Sequence, residues 1–287
     1  MQPTNPKAEK SPPPPQEASS SSPPFSSSYS SPLSSSYSSP KASDSVKDGG
    51  SILKDSSDAE LTKVPLMRAL VESKDPSSKE VDDLTLRRFL RARDLDVEKA
   101  SFMFLKYLKW KNSFVPNGVS PTEIPDEIAQ KKLYSQGFDK QGRPIVLAFA
   151  AKHYQGTDGG DAFKRFVAFT IDKLCSRMPA GQEKFCAIAD IQGWGYANSD
   201  IRGYLSALTI LQDYNPERMG KLFILHAPYV FMKVWQIIYP FIDNNTKQKI
   251  TFVDNKKLKE TLLEDIDESQ LPEKYGGKLP LVPIEDC

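Results

Sequence analysis

Short apolar runs and longer amphipathic segments alternate along the chain from about residue 119 onward. The runs that are typical of strands occupy 143–150, 184–191, 221–228 and 249–254, and the segments with helical periodicity occupy 161–178, 199–216 and 230–242. Strands separated by helices of this length favour parallel pairing, because a parallel connection needs a long crossover. The pattern therefore predicts an α/β domain over 119–287 with a mixed, largely parallel sheet.

Residues 59–118 show helical periodicity without strand signals. Asp96 is placed to cap a helix whose apolar residues recur at i, i+3, i+4 and i+7, and Pro116 and Gly118 end that helix. In the preceding helix, the residues expected to face a core are Leu84, Leu86, Phe89 and Leu90. These segments predict a small all-α lobe in front of the α/β domain.

Residues 1–58 differ from the rest of the chain in composition. Between residues 19 and 40, 14 of the 22 residues are Ser and 4 are Pro, and the heptapeptide SSSYSSP occurs twice. Such a segment cannot bury enough apolar surface to offset the entropy of an ordered chain, so we predict a disordered tail. Ser22, Ser31 and Ser39 each precede a Pro, and phosphate there would change the charge of the tail.

Charge, cysteine usage and hydropathy argue against a nucleic-acid-binding protein, a disulfide-rich protein and a membrane-spanning protein. The chain has 38 Lys and Arg against 37 Asp and Glu, so no excess of positive charge indicates nucleic-acid binding. Its three cysteines form no Cys-x-x-Cys pair, which favours a reducing compartment over a disulfide framework. No apolar stretch approaches the roughly 18 residues of a membrane-spanning helix. We therefore expect a cytoplasmic monomer that meets membranes reversibly.

The sequence contains no recognisable catalytic group. It lacks the GxxxxGK[ST] phosphate loop and the G-x-S-x-G nucleophile elbow. Gly193 and Gly195 imitate half of a dinucleotide fingerprint, but Asn198 stands where the third glycine is needed. The two histidines, His153 and His226, are far apart and lack a second metal ligand at helical spacing, so we expect structural roles for both. We predict no enzymatic activity, no cofactor and no metal site.

The segment at 228–242 is apolar on nearly every side, and only Lys233 and Gln236 interrupt it. A helix of this kind is buried, or it faces lipid on one side. It is too short to span a bilayer, but it could lie on one or cover a lipid held inside the protein. The structural alternative is a helix that packs against the sheet beneath other elements.

Seven short motifs follow one another in an order that resembles a known family. They are LRRFLRAR (86–93), QGRPI (141–145), Asp190 with Gly193, YNPERMGKLF (214–223), Ala227-Pro228, YPFID (239–243) and LPEKYGG (271–277). From about Leu61 to Leu281, the chain resembles a CRAL-TRIO lipid-binding domain with its N-terminal helical lobe. Within that family it is most similar to the secretory-pathway phosphatidylinositol/phosphatidylcholine transfer proteins.

The resemblance implies that the sheet floors a hydrophobic pocket for one lipid, and that a mobile gate helix at about 228–242 covers this pocket. The gate residues would be Phe231, Val234, Trp235, Ile238 and Phe241. The implied activity is transfer of phosphatidylinositol between membranes, or presentation of that lipid to lipid kinases, in vesicle trafficking and phosphoinositide signalling. A bound phospholipid would be the ligand, and association with membranes would be peripheral.

Four residues match the family's phosphatidylinositol headgroup positions, namely Arg93, Glu217, Thr246 and Lys249. The resemblance implies that the cations and the hydroxyl contact the phosphodiester. It also implies that Glu217 accepts hydrogen bonds from inositol hydroxyls or orients Lys249. For each residue the alternative is a surface salt bridge that contributes little.

The chain departs from the family pattern at one place. Members that also bind phosphatidylcholine carry hydroxyl residues five and three positions before the Asp at the end of a strand. Phe185 and Ala187 occupy those positions here, and neither can donate a hydrogen bond to a choline phosphate. The second ligand is therefore open, and the alternative function is a carrier or sensor of another hydrophobic ligand of the sterol, tocopherol or retinoid type.

Overall fold

The computed structural model describes residues 49–287, and it describes side chains from Asp58 onward. The tail predicted over 1–58, with Ser22, Ser31 and Ser39, therefore lies outside the described residues except for its end. That end forms the beginning of the first helix, α1 (Gly49–Lys74). All of the described residues belong to one compact unit.

Three helices form the N-terminal lobe: α1, α2 (Asp83–Arg91) and α3 (Val97–Phe114). Asp82 caps α2, and Asp96 caps α3 by accepting a hydrogen bond from the Lys99 backbone N–H, as the sequence predicted. The fully buried side chains at the centre of the lobe include Met67, Val71, Leu86, Phe89, Leu90 and Phe104. The prediction for Leu84 was wrong, since it is 45% exposed. It lies in the first turn of α2, on the side away from the face that buries the other three apolar residues.

The sheet has six strands: β1 (Leu133–Phe138), β2 (Pro144–Phe149), β3 (Phe185–Asp190), β4 (Met219–Leu225), β5 (Ile250–Phe252) and β6 (Val282–Pro283). Their order is β5-β4-β3-β2-β1-β6. The strands β2 to β5 pair in parallel, whereas β1 is antiparallel to both β2 and β6. The mixed, largely parallel sheet is thus confirmed. The antiparallel strands β1 and β6 were not predicted, because neither has the apolar run of the central strands.

Six further helices follow the lobe: α4 (Pro125–Ala129), α5 (Asp161–Ser176), α6 (Ile201–Thr209), α7 (Tyr229–Ile238), α8 (Asn244–Lys247) and α9 (Leu258–Asp265). A π-helical turn over Ile210–Tyr214 extends α6, and a 3-10 turn over Tyr239–Phe241 extends α7 where Pro240 interrupts the α-helical hydrogen bonding. Within residues 49–287, no helix combines the length and the apolar character that a membrane crossing needs.

The two faces of the sheet are used differently. Successive side chains of a strand point to opposite faces. On one face, Leu147, Ile188 and Phe223 pack with Leu262 of α9 in a closed core. The helices α5, α6 and α7 stand over the other face, and they leave a large space between themselves and the strands.

The lobe packs against the α/β domain at the amino-terminal edge of the parallel strands. Trp110 of α3 stacks on Tyr214, with ring centroids 4.5 Å apart. Arg91 of α2 donates a 2.6 Å hydrogen bond to Glu183, which lies two residues before β3. The lobe therefore lies next to the amino-terminal ends of the parallel strands.

Candidate functional site

A cavity of about 870 Å³ lies between the sheet and the helices α5, α6 and α7. This volume is near the upper end of the roughly 300–1,000 Å³ range of ligand pockets in proteins. Its floor is made by the alternate residues of three strands, which are Val146, Ala148, Phe185, Ala187, Ala189, Leu222 and Ile224. Several of these side chains are small, so the floor leaves room that larger residues would fill.

The helix α7 covers the cavity with only part of its apolar surface. Of the five predicted gate residues, Phe231, Trp235 and Ile238 line the cavity. Val234 is buried in the adjoining apolar cluster, and Phe241 is 59% exposed and does not line the cavity. The apolar residues of segment 228–242 therefore lie on two surfaces: some line the cavity, and others are exposed on the outside of the protein.

All four residues predicted to bind a headgroup line this cavity. Arg93 comes from the loop after α2, Glu217 from the turn before β4, Thr246 from α8 and Lys249 from the residue before β5. They gather at the amino-terminal edge of the parallel strands, where those strands begin. The structure thus brings together residues that are separated by more than a hundred positions in the sequence. We call this group, together with the loops that carry it, the polar end of the cavity.

An ion pair joins two of these residues across the polar end. The ammonium group of Lys249 lies 3.3 Å from Glu217 Oε2, and the ammonium group of Lys184 lies 3.5 Å from the same oxygen. Glu217 has a φ of 58°, an unusual value for a residue with a side chain, and it lies in a tight turn between α6 and β4. The carboxylate is thereby turned toward two cations at once.

Local hydrogen bonds place the other residues. Asp243 caps α8: its carboxylate accepts hydrogen bonds from the Thr246 backbone N–H at 2.7 Å and from the Thr246 hydroxyl at 2.6 Å. The Lys249 carbonyl accepts a hydrogen bond from Leu222 N–H at 2.8 Å, which aligns the start of β5 with β4. The hydroxyl of Thr246 can still accept, and Arg93 uses one N–H on the Ala92 carbonyl at 2.7 Å and keeps its other donors.

Acidic and amide side chains outnumber cations at the polar end. The lining residues with these groups are Asp94, Gln212, Asp213, Asn215, Glu217, Asp243, Asn244 and Asn245, against Arg93 and Lys249. Carboxylates accept hydrogen bonds, and amides both accept and donate them. The arrangement suits a group with many hydroxyls and a single negative charge, because further phosphates would face the carboxylates.

The cavity has a second polar group at its other end, which the sequence did not indicate. Lys132 precedes β1 and forms an ion pair with Glu127, and its ammonium group lies 2.9 Å from His153 Nδ1. His153 Nε2 lies 3.3 Å from Asp200 Oδ2. Burial, and then the charge of Lys132, lower the pKa of His153 to about 4, so its ring is neutral at pH 7. These side chains bond one another, and the expectation of a structural role for His153 agrees with this network.

A third group of polar side chains surrounds Asp190 at the end of β3, outside the cavity lining. Its carboxylate accepts hydrogen bonds from Lys274 at 2.5 Å, Tyr275 at 2.7 Å and the Gln192 backbone N–H at 2.9 Å, and it lies 2.9 Å from His226 Nδ1. Burial alone would raise the pKa of Asp190, but these bonds outweigh burial and hold the pKa below its usual value. In the described part of the chain, no cluster of three or more His, Cys, Asp or Glu side chains could hold a metal.

Comparisons with known proteins agree with this architecture. A family model for the CRAL/TRIO domain matches residues 128–277. The Sec14 cytosolic factor of Schizosaccharomyces pombe is 34% identical over 215 residues, which cover 69% of this chain and 75% of that protein. The SEC14 cytosolic factor of Kluyveromyces lactis is 32% identical over 217 residues, which cover 69% of this chain and 71% of that protein.

A solved structure shows the same fold. The crystal structure of Sfh5 aligns with a TM-score of 0.54 at 16% sequence identity, and the alignment covers 71% of this chain and 84% of that chain. At this sequence identity, the structural similarity supports a shared fold and nothing more. Together with the family match, it confirms the resemblance that the seven sequence motifs indicate.

Proposed function

The chain belongs to the CRAL/TRIO domain family of lipid-binding proteins, and we propose that it binds phosphatidylinositol and carries it between membranes or presents it to lipid kinases. One observation carries the proposal. Arg93, Glu217, Thr246 and Lys249 meet at one end of a cavity whose remaining lining is mostly apolar. In this proposal the protein is a cytoplasmic monomer that associates with membranes peripherally.

The chemistry of the polar end fits an inositol phospholipid. Arg93 and Lys249 can donate charge-assisted hydrogen bonds to the phosphodiester, and the Thr246 hydroxyl adds a neutral partner. The inositol ring carries hydroxyl donors that the carboxylates and amides of the same end can accept. An inositol that carried further phosphates would bring additional negative charge toward Asp94, Asp213 and Asp243, so we expect the unphosphorylated ring to be preferred.

Selectivity should depend on this end of the cavity, because the acyl chains gain little from the transfer itself. Burying a CH2 group gains about 0.8 kcal/mol relative to water. The bilayer offers the chains nearly the same gain, so the two contributions cancel when a lipid leaves the membrane for the protein. A buried headgroup that lost a hydrogen-bonding partner would cost roughly 1–3 kcal/mol, and this cost separates one lipid from another.

Phe185 and Ala187 support a second candidate ligand. Both line the cavity floor, and neither offers a hydrogen bond to a second phospholipid headgroup. A neutral ligand of the sterol, tocopherol or retinoid type would tolerate such a floor better than phosphatidylcholine would. We therefore propose a neutral lipid, rather than phosphatidylcholine, as the alternative occupant.

Transfer of labelled phosphatidylinositol between vesicles tests the proposal. We expect Lys249→Ala to slow transfer by roughly tenfold to a hundredfold, because a hydrogen bond to a charged group is lost. Lys184→Ala is the matched control: it also removes a cation from Glu217, but Lys184 does not line the cavity. It should change transfer by less than about threefold.

Mass spectrometry of the lipids that co-purify with the full chain separates the two ligands. A bound inositol phospholipid in the wild type, reduced in Lys249→Ala, supports the first candidate. A neutral lipid, retained in Lys249→Ala, supports the second. Equal phosphatidylinositol transfer by the wild type and Lys249→Ala would show that the assigned headgroup site is incorrect.

A further inference from the structure

The outer face of α3 carries a stripe of residues that the cavity does not use. Lys99, Phe102, Lys106 and Lys109 are spaced three or four positions apart, so they lie along one side of the helix. The opposite side of α3 buries Phe104 and Leu108 in the lobe core, whereas Phe102 is 75% exposed. We call these four residues the α3 stripe.

The α3 stripe lies beside the polar end of the cavity. A surface cleft of about 450 Å³ is lined by Glu98, Lys99, Phe102, Met103 and Lys106 of α3, and also by Arg93 and Asp213, which line the cavity as well. Lys106 forms a 3.0 Å ion pair with Asp213, and Lys99 forms a 2.9 Å ion pair with Asp96. The cleft and the cavity therefore share a wall.

Exposed apolar residues lie on the other side of the same polar end. Gln212, the neighbour of Asp213, donates a 3.1 Å hydrogen bond to the Phe241 carbonyl. Phe241 is 59% exposed, and Ile237 of α7 is 50% exposed. Gln212 and Asp213 thus link the α3 stripe to the outer surface of residues 228–242. The polar end of the cavity lies between these two surfaces.

We infer that the α3 stripe is a membrane-docking surface, which lays the helical lobe on a bilayer that contains anionic lipids while the cavity faces that bilayer. This inference rests on the proposed transfer function, because it gives the lobe a part in delivering the lipid. An exposed phenylalanine between lysines is the composition of an interfacial helix face, where the ring enters the headgroup boundary and the ammonium groups contact anionic lipids. The α3 stripe shares Arg93 and Asp213 with the polar end of the mostly apolar cavity, and this continuity favours a bilayer over a protein partner.

Co-sedimentation of the full chain with vesicles tests the inference. The vesicles contain phosphatidylcholine, with or without phosphatidylserine. We expect Phe102→Ser to weaken vesicle binding by roughly tenfold or more, because the apolar side chain no longer enters the bilayer. Lys109→Ala should weaken binding by about fivefold on the anionic vesicles and have little effect on pure phosphatidylcholine.

The control is Tyr196→Ser, which removes another aromatic side chain that is 80% exposed but lies beyond the opposite edge of the sheet. It should bind vesicles like the wild type. If Phe102→Ser also binds like the wild type, or if Tyr196→Ser weakens binding equally, the docking surface is incorrect and a protein partner for the α3 stripe becomes the better interpretation.

Phosphatidylinositol loading is measured in the same preparations, and it separates this inference from the proposed function. Phe102 does not line the cavity, so Phe102→Ser should retain the bound lipid. Absence of phosphatidylinositol from the wild type would overturn the proposed function. Loss of the lipid from Phe102→Ser would show that the residue supports the cavity rather than a docking surface.

Discussion

Polar residues lie at both ends of the parallel strands, which we call the amino edge and the carboxyl edge of the sheet. The protein uses the polar residues of these two edges differently. At the carboxyl ends of the strands, Asp190 and His153 are buried and bonded to several protein partners. At the amino ends, Glu217 and Lys249 are partly exposed, line the cavity and keep free hydrogen-bonding capacity. Polar groups that are satisfied by the protein stabilise the fold, whereas groups with capacity left over are available to a ligand.

The proposed headgroup site reverses the usual arrangement of open α/β sheets, in which ligands bind outside the carboxyl ends of the strands. In this chain the carboxyl ends are occupied by internal networks, and the loop after Asp190 carries the incomplete glycine fingerprint. The cavity instead runs along one face of the sheet, and the proposed headgroup residues lie at the amino ends. A search for an active site at the usual edge would therefore find structural residues.

The largest expected effect comes from breaking the network at the carboxyl edge. Asp190→Ala should lower the free energy of unfolding by about 3–5 kcal/mol, because it removes a buried carboxylate and leaves its donors without an acceptor. Urea denaturation measures this loss. Glu217→Ala, at the opposite edge, should lower the free energy of unfolding by less than about 1 kcal/mol, because its ion pairs are partly exposed. Similar losses in both variants would contradict the division between the two edges.

A pH titration of stability gives the next largest effect. The folded-state pKa of His153 is about 4, below the value of about 6.5 for an unfolded chain. The unfolded state therefore binds the proton first, and the free energy of unfolding falls as the pH drops from 6.5. By pH 5 the loss should reach about 2 kcal/mol.

Urea midpoints between pH 7 and pH 5 measure this slope. The chain has only two histidines, so two variants assign it. His153→Gln should flatten the slope, and His226→Gln should preserve it. A slope that persists in His153→Gln would show that groups other than the buried imidazole of His153 govern stability in this range.

The central elements of the fold were predictable from local sequence because their signals are strong. The strand β4 and the helix α7 stand out as long apolar segments, and each lies within a few residues of its predicted place. The strand β1, with the sequence LYSQGF, has no such run, because it gains most of its order from pairing with β2 and β6 on its two sides. Local pattern could not reveal it.

The site was less predictable than the fold. Arg93, Glu217 and Lys249 come from three separate loops, and no periodicity says that they meet, so only the motif resemblance identified them. The network of Lys132 and His153 had no sequence signal at all, because a single lysine before a strand is usually a solvent-exposed loop residue. Phe102 was hidden by its position in an amphipathic helix, where exposure depends on which face the lobe buries.

The smallest effect concerns the ion pair between Glu217 and Lys249, and it sharpens the contrast between the two edges. In a double-mutant cycle of Glu217→Gln and Lys249→Met, the coupling energy for unfolding should be below about 1 kcal/mol, since the pair is partly exposed and Lys184 shares the carboxylate. The same cycle, measured on the affinity for phosphatidylinositol, should give a larger coupling than the one for unfolding. Glu217 would then act by orienting Lys249 toward the phosphodiester, so that each mutation alone removes most of the benefit of both. Independent effects on affinity would mean that the two side chains contact different parts of the headgroup, and a strong coupling in unfolding would make the amino edge a structural network like the carboxyl edge.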